Sequence, residues 1–262
     1  MATMNRQIDS QKKRFANILE YLSQYKFATV DDLSAFCNTS AATIRRDVSQ
    51  LHDEGKVIRV HGGVVYVEPG APRGIFELSR SQYCREEKLA IGKAAAALIN
   101  DYETVYLSSG TTTECIIPHI IERQGLTIIT RSLNIVARLM EHENINVIML
   151  SGQLSRAEID LAGDLSDVTI TELVSEKIIS GAYGLHPKSG LTTSDAMHVK
   201  TGRSIIEHMG DLIVLADHTK FTRSGTVQLA PAEAISTIIT DALTPQSMVD
   251  EFRAQGVQVI VA

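Results

Sequence analysis

From Glu86 to the C-terminus, short apolar runs alternate with amphipathic stretches of helical period, and few folds accept that rhythm. The runs are Thr104–Leu107, Leu126–Ile129, Asn146–Leu150, Lys177–Ile179, Asp211–Ala216, Ser236–Thr240 and Gln258–Val261. Helices are predicted around Glu86–Ile99, from about Thr112, and at Ser132–Glu141, Asp195–Met209 and Pro245–Gln255. Apolar strands joined by helical crossovers predict a doubly wound, mostly parallel α/β sheet. In such a sheet a ligand sits in the crevice at the carboxyl ends of the strands.

The first 66 residues read differently. Phe15, Ile18, Leu19 and Leu22 form one face of a helix within Gln7–Tyr25. Thr29, followed by Asp31 and Asp32, caps a short second helix that ends near Phe36. After the turn Cys37-Asn38-Thr39, Ser40 caps a third helix, Ala41 to about His52. Its buried stripe is Ile44, Val48 and Leu51. The other side presents Ala42, Thr43, Arg45, Arg46 and Ser49: small and polar residues first, then two arginines. That order suits a recognition helix, because small residues admit it to the major groove and Arg reads guanine or clamps phosphate. Two β-rich runs around His61-Gly62-Gly63 predict a hairpin, a wing whose Lys56, Arg59 and His61 face the DNA backbone or minor groove. The Pro- and Gly-rich stretch from Glu68 to Gly74 reads as a linker. The expected division is a winged helix-turn-helix at 1–66, a linker at 67–85, and an effector-sensing, oligomerising α/β domain at 86–262.

Charge follows the same division. The net charge is −6, yet residues 1–66 carry nine Lys/Arg against seven Asp/Glu, and the remainder sixteen against twenty-four. A weakly basic head on an acidic body can bind DNA if its positive charges converge on one face, and the acidic body then favours orientation by the head. No apolar run is long enough to span a bilayer. The polar, mixed-charge Met1–Arg14 does not read as a secretory leader. Cys37, Cys84 and Cys115 are odd in number and match no zinc spacing, so a cytoplasmic protein with reduced thiols and no metal or other cofactor is expected.

Four stretches gather at the carboxyl ends of the predicted strands. Ser108-Ser109-Gly110-Thr111-Thr112-Thr113 joins a strand to a helix, and such a Gly- and hydroxyl-rich turn can cradle a phosphate. Arg131 and Ser132 open the next helix. Gly181-Ala182-Tyr183-Gly184-Leu185 and Asp217-His218-Thr219-Lys220-Phe221 follow later strands. Lys220 is a natural counter-charge for a phosphate, or else one half of a surface ion pair; Asp217 reads equally as a turn-forming residue.

The string from Ser40 to Val48, with Leu51, Gly55 and Arg59-Val60-His61-Gly62-Gly63, resembles the N-terminal signature of the DeoR family of bacterial regulators, and the later stretches resemble that family's effector domain. The resemblance implies a winged helix that binds operator DNA and a sensor related to sugar-phosphate isomerases. It also implies a repressor of a sugar-catabolism operon, working as a homodimer or homotetramer. A phosphosugar would be held by Ser109–Thr113 and Lys220, with Asp195 and Lys200 on the sugar. Two positions depart from the family pattern: Ser108 stands where Asp is usual, and Arg131 where Asn is usual. Arg131 brings a planar donor fork suited to a second phosphate, a phosphodiester or a carboxylate, or to an acidic neighbour. An isomerase or deaminase with an appended DNA-binding head is the alternative. The Asp-Gly-His cluster of the related deaminases is replaced here by Gly181-Ala182-Tyr183-Gly184-Leu185-His186, with His186 expected in an exposed loop. No catalytic residue is therefore assigned.

Overall fold

The computed structural model describes residues 2–53, 56–60, 63–66, 81, 83–155, 158–163 and 170–262. The chain divides into two compact units, Met1–Arg80 and Ser81–Ala262. Most of the sequence-predicted linker, and the wing residue His61, lie outside the described residues.

The first unit runs α1 (Ala2–Tyr25), β1 (Phe27–Ala28), α2 (Val30–Phe36), α3 (Ala41–Asp53), β2 (Val57–Val60) and β3 (Gly63–Tyr66). Thr29 and Asp32 make a reciprocal capping box that starts α2. Asn38, at φ 49°, takes the left-handed turn between α2 and α3, a conformation its short polar side chain tolerates. Ile18, Leu22, Leu33, Ile44, Val48 and Leu51 close the core over Val57 and Val64. The hairpin β2–β3 is antiparallel, and β1 adds a third strand on β3 that the sequence did not predict. Gly63 lies under β1, where a Cβ would stand 2.5 Å from the Ala28 carbonyl oxygen. One buried polar residue belongs to this core: Asp47, on α3, receives Arg14 Nε at 2.7 Å and Nη2 at 3.3 Å from α1.

The second unit begins with α4 (Arg85–Ala96), β4 (Thr104–Leu107), a 3-10 helix (Thr113–His119), β5 (Leu126–Thr130), α5 (Leu133–Leu139) and β6 (Ile145–Met149). Two short strands follow, β7 (Gln153–Ser155) and β8 (Asp160–Ala162), then β9 (Lys177–Gly181), β10 (Gly184–His186) and β11 (Gly190–Thr193). The rest is a 3-10 turn (Ala196–His198), α6 (Val199–His208), β12 (Asp211–Leu215), a 3-10 turn (His218–Thr222), β13 (Val227–Ala230), β14 (Ile235–Thr240), α7 (Gln246–Ala254) and β15 (Gln258–Val261).

Seven strands form the main sheet in the order β15-β14-β12-β9-β4-β5-β6, all parallel. Alternate residues of each strand feed two separate cores, as the pleat requires. Val105 and Leu107 pack with Ile91, Ile116 and Ile135 on one face. Tyr106, Ile178, Leu212 and Ile238 pack with Ile205, Phe221 and Phe252 on the other. Both faces are thus covered, which is why these strands read as continuous apolar runs. Two expectations need correction. The predicted helix from Thr112 is a seven-residue 3-10 helix, with Pro118 inside it. His186 is not in a loop: it ends β10, and its Nδ1 accepts from the Lys188 N–H.

Asp47→Ala removes the acceptor of a bidentate pair that ties α1 to α3. We expect it to cost about 1–3 kcal/mol, read by urea denaturation of the full chain. Unchanged stability would mean that the pair contributes nothing.

Candidate functional site

On α3 the exposed residues are Ala42, Arg45, Arg46 and Gln50, with Thr43 and Ser49 half-buried. At about 100° per residue, Ala42, Arg45, Arg46 and Ser49 share one side of the helix, opposite Ile44, Asp47, Val48 and Leu51. Ser40 is exposed at the helix start, where its Oγ accepts from the Thr43 N–H. Lys56 is exposed just before the wing strand β2, and Arg59 lies within that strand. The Arg14–Asp47 pair ties α3 to α1 on the side of the helix opposite the exposed Ala42, Arg45 and Arg46.

The second unit's site follows from its strand order. Going from β4, the chain first builds β5 and β6 to one side, then returns to place β9 on the other. The carboxyl ends of β4 and β9 therefore flank the point where the winding reverses, the place where sheets of this kind bind their ligands. The Ser108 N–H donates to the Ile179 carbonyl, and Ser108 Oγ accepts from the Gly181 N–H, so this residue joins the two strand ends. Gly110 adopts φ 140°, a conformation that disfavours any side chain. Thr113 Oγ1 closes the turn on the Ser108 and Gly110 carbonyls, at 2.8 and 2.7 Å. Ser109, Gly110, Thr111 and Thr112 donate their backbone N–H groups to no acceptor among the described residues, although all but Ser109 are buried. Buried N–H groups are nearly always paired, so this run is a candidate anion-binding nest. The donors belong to the turn itself rather than to the long helix that the sequence had predicted there.

A chain of polar contacts runs from this turn. Ser109 Oγ donates to Asp160 Oδ2 at 2.6 Å. Asp160 is fully buried on β8 and holds His198 Nε2 at 3.0 Å, while His198 Nδ1 meets Asp195 Oδ2 at 3.0 Å. Both imidazole nitrogens thus face carboxylates, an arrangement that suits the doubly protonated ring. Burial pulls the His198 pKa down, but the hydrogen bond and charge of Asp160 outweigh it and leave it raised. Arg131, also buried, donates from Nε to Tyr106 Oη at 3.2 Å, and its charge reaches both Tyr106 and His198.

Ser132 plays another part: its Oγ caps α5 by accepting from the Ile135 N–H. Lys220, after β12, lies 3.4 Å from Asp217 Oδ2. The other Asp217 oxygen accepts from the Thr219 N–H and hydroxyl, the predicted turn role. Burial raises the Asp217 carboxyl, but the charges of Lys220 and Lys88 with the Thr219 bonds hold it below its usual range. Tyr183 is exposed, with the Arg223 guanidinium 4.9 Å from its ring centre, and Lys200 is exposed on the first turn of α6. The geometry therefore joins Ser108–Thr113, Gly181 and Asp195 through direct contacts, sets Arg131 beside them, and places Lys220 on the next strand end. Sequence reasoning missed Tyr106, Asp160 and His198 as members of this cluster. An aspartate inside the apolar run Ile159-Asp160-Leu161-Ala162 was the signal available for Asp160. All three cysteines are free, and burial pushes the Cys84 thiol up to about 11, so it stays protonated and unreactive near neutral pH.

A helix that presents small residues and arginines on a winged unit, followed by a sheet with an anion nest at its switch point, defines a ligand-sensing DNA-binding regulator. Residues 14–69 match the DeoR-like helix-turn-helix domain and residues 84–242 the DeoR C terminal sensor domain. The chain belongs to the DeoR family of transcriptional regulators. It is 32% identical over 243 residues to the transcriptional repressor AccR of Agrobacterium fabrum, covering 90% of this chain and 92% of that one. It is 26% identical to the glycerol-3-phosphate regulon repressor of Escherichia coli, covering 95% and 98%. Among solved structures, ribose 5-phosphate isomerase A of Methanocaldococcus jannaschii is similar over 53% of this chain and 55% of its own, with 18% identity and a TM-score of 0.39. No helix among the described residues is long and apolar enough to cross a membrane.

The His198 clamp has a pH signature. A histidine whose folded pKa lies above its unfolded value near 6.5 contributes stability that is full below that value and is lost as pH rises through the folded one. The stability gap between the wild type and His198→Gln should therefore be largest near about pH 6 and shrink toward about pH 8 in denaturation series. A gap that grows with pH would contradict the clamp.

Proposed function

We propose that this protein represses a sugar-catabolism operon and that a phosphorylated sugar bound at the β4–β9 switch point controls its grip on operator DNA. The observation that carries this reading is the run of N–H groups at Ser109–Thr112 without an acceptor among the described residues, in residues that are buried from Gly110 to Thr112, a site that a phosphate satisfies. Thr111, Thr112 and the Ser108 and Ser109 hydroxyls line that turn, Gly181 leaves open space beside it, and Lys220 supplies positive charge from the adjoining strand end. The name of the glycerol-3-phosphate regulon repressor, similar along nearly the whole chain, accords with a phosphorylated effector. Asp195, Lys200, Tyr183 and Ser132 border the sugar in this reading.

On the DNA side, Ser40, Ala42, Thr43, Arg45, Arg46 and Ser49 enter the major groove, and Lys56, Arg59 and His61 follow the backbone as a wing. The functional division is 1–66 for DNA, 67–85 as linker and 86–262 for sensing and self-association. Operators with two half-sites call for a homodimer or homotetramer, and the protein works in the cytoplasm. Effector binding then acts as a coupling free energy between the sites, about 1–3 kcal/mol in typical systems.

Two measurements test this. Against a panel of sugar phosphates and free sugars, a true effector raises the melting temperature with its concentration, and Thr111→Val and Lys220→Ala weaken that response. If only free sugars stabilise the protein, the phosphate reading fails. Arg45→Ala and Arg46→Ala should each reduce binding to the protein's own promoter DNA, by about 1–3 kcal/mol where the arginine reads a base, in fluorescence anisotropy at fixed salt. Full affinity in both variants would move the reading face elsewhere.

A further inference from the structure

Arg131 is the one residue of the site whose charge the protein leaves uncompensated among the described residues. It directly follows β5, the strand next to β4, and is 5% exposed. Nε is used on Tyr106 Oη, and Nη1 is buried with no acceptor. No carboxylate stands within ion-pair distance of this guanidinium among the described residues. Asp160, which shares the influence on Tyr106, already accepts from Ser109 and His198. A guanidinium cannot discard its charge by losing a proton, and a buried, unpaired one is unfavourable without an anion.

We propose that the effector carries two anionic groups, one held by the Ser109–Thr112 turn and the second gripped by Arg131, as in a sugar bisphosphate or a phosphorylated sugar acid. The inference rests on the phosphosugar reading above and narrows it. The spacing is suitable: neighbouring parallel strands lie about 4.8 Å apart, so one sugar reaches from the end of β4 to the end of β5. The demand comes from Arg131, since its buried neighbours have carboxylates: Lys220 has Asp217, and His198 has Asp160 and Asp195. Arg is also the side chain whose planar fork fits carboxylate and phosphate oxygens in pairs.

Matched probes separate the two ideas. Fructose 1,6-bisphosphate is compared with fructose 6-phosphate, and 6-phosphogluconate with glucose 6-phosphate, by calorimetry on the full chain. The wild type should bind the doubly anionic member of at least one pair roughly tenfold or more tightly than its partner. Arg131→Gln should remove most of that preference while the monophosphate changes less than about threefold. Arg131→Lys keeps a charge and should retain part of the preference; it also serves as the folded control if the Gln variant is unstable. Equal affinity within both pairs, or equal losses for both members in Arg131→Gln, overturns the second anion and leaves the phosphosugar reading standing. Failure of every phosphorylated probe to bind a protein that still binds its promoter overturns both.

Discussion

The reversal of strand order between β4 and β9 is the constraint on which the sensor depends, and Ser108 is the residue that makes it hold. Through its N–H and its hydroxyl it binds the end of β9 in two places, at Ile179 and Gly181. The turn that follows is then shaped by Gly110 and closed by Thr113. Nothing in this turn is a ligand contact in isolation. The donors become available because the ladder is finished on both strands and the 3-10 helix beyond uses only the carbonyls of the turn, at Gly110 and Thr112. The two cores, one on each face of the sheet, hold those strand ends in register from above and below.

Around the turn, the polar side chains are arranged as a relay rather than as independent groups. Ser109, Asp160 and the pair Asp195 and His198 come from three separate stretches of chain and meet through contacts of 2.6–3.0 Å. A displacement of the turn would therefore be felt at β8 and at the start of α6, because the shared hydrogen bonds must break or move together.

Much of this was legible in the residues. The main strands read correctly because each is buried on both faces, and Thr104–Leu107 and Gln258–Val261 fall where the apolar runs placed them. The head read correctly because Thr29, Asp32, Asn38 and Ser40 punctuate it with distinct local chemistry. The hidden parts were short. Strands β7, β8 and β10 have three residues each, too few for a period to show, and β11 and β13 have four. Asp160 and His198 stand 38 positions apart, and no local pattern announces a contact at that separation. Arg131 could be noticed as an odd residue in the sequence, but only the structure shows that its charge has no carboxylate to meet among the described residues.

The third helix of the head separates two tasks around its circumference. Ile44, Asp47, Val48 and Leu51 carry its attachment to the rest of the unit, whereas Ala42, Arg45 and Arg46 touch solvent. Exchanges at such exposed positions ordinarily change stability by no more than about 0.5 kcal/mol. The residues proposed to choose a DNA sequence can therefore drift, one at a time, without unfolding the protein that carries them. A duplicated copy of this chain could acquire a new target gene while keeping its sensor intact, and a designer could re-address it by the same few positions.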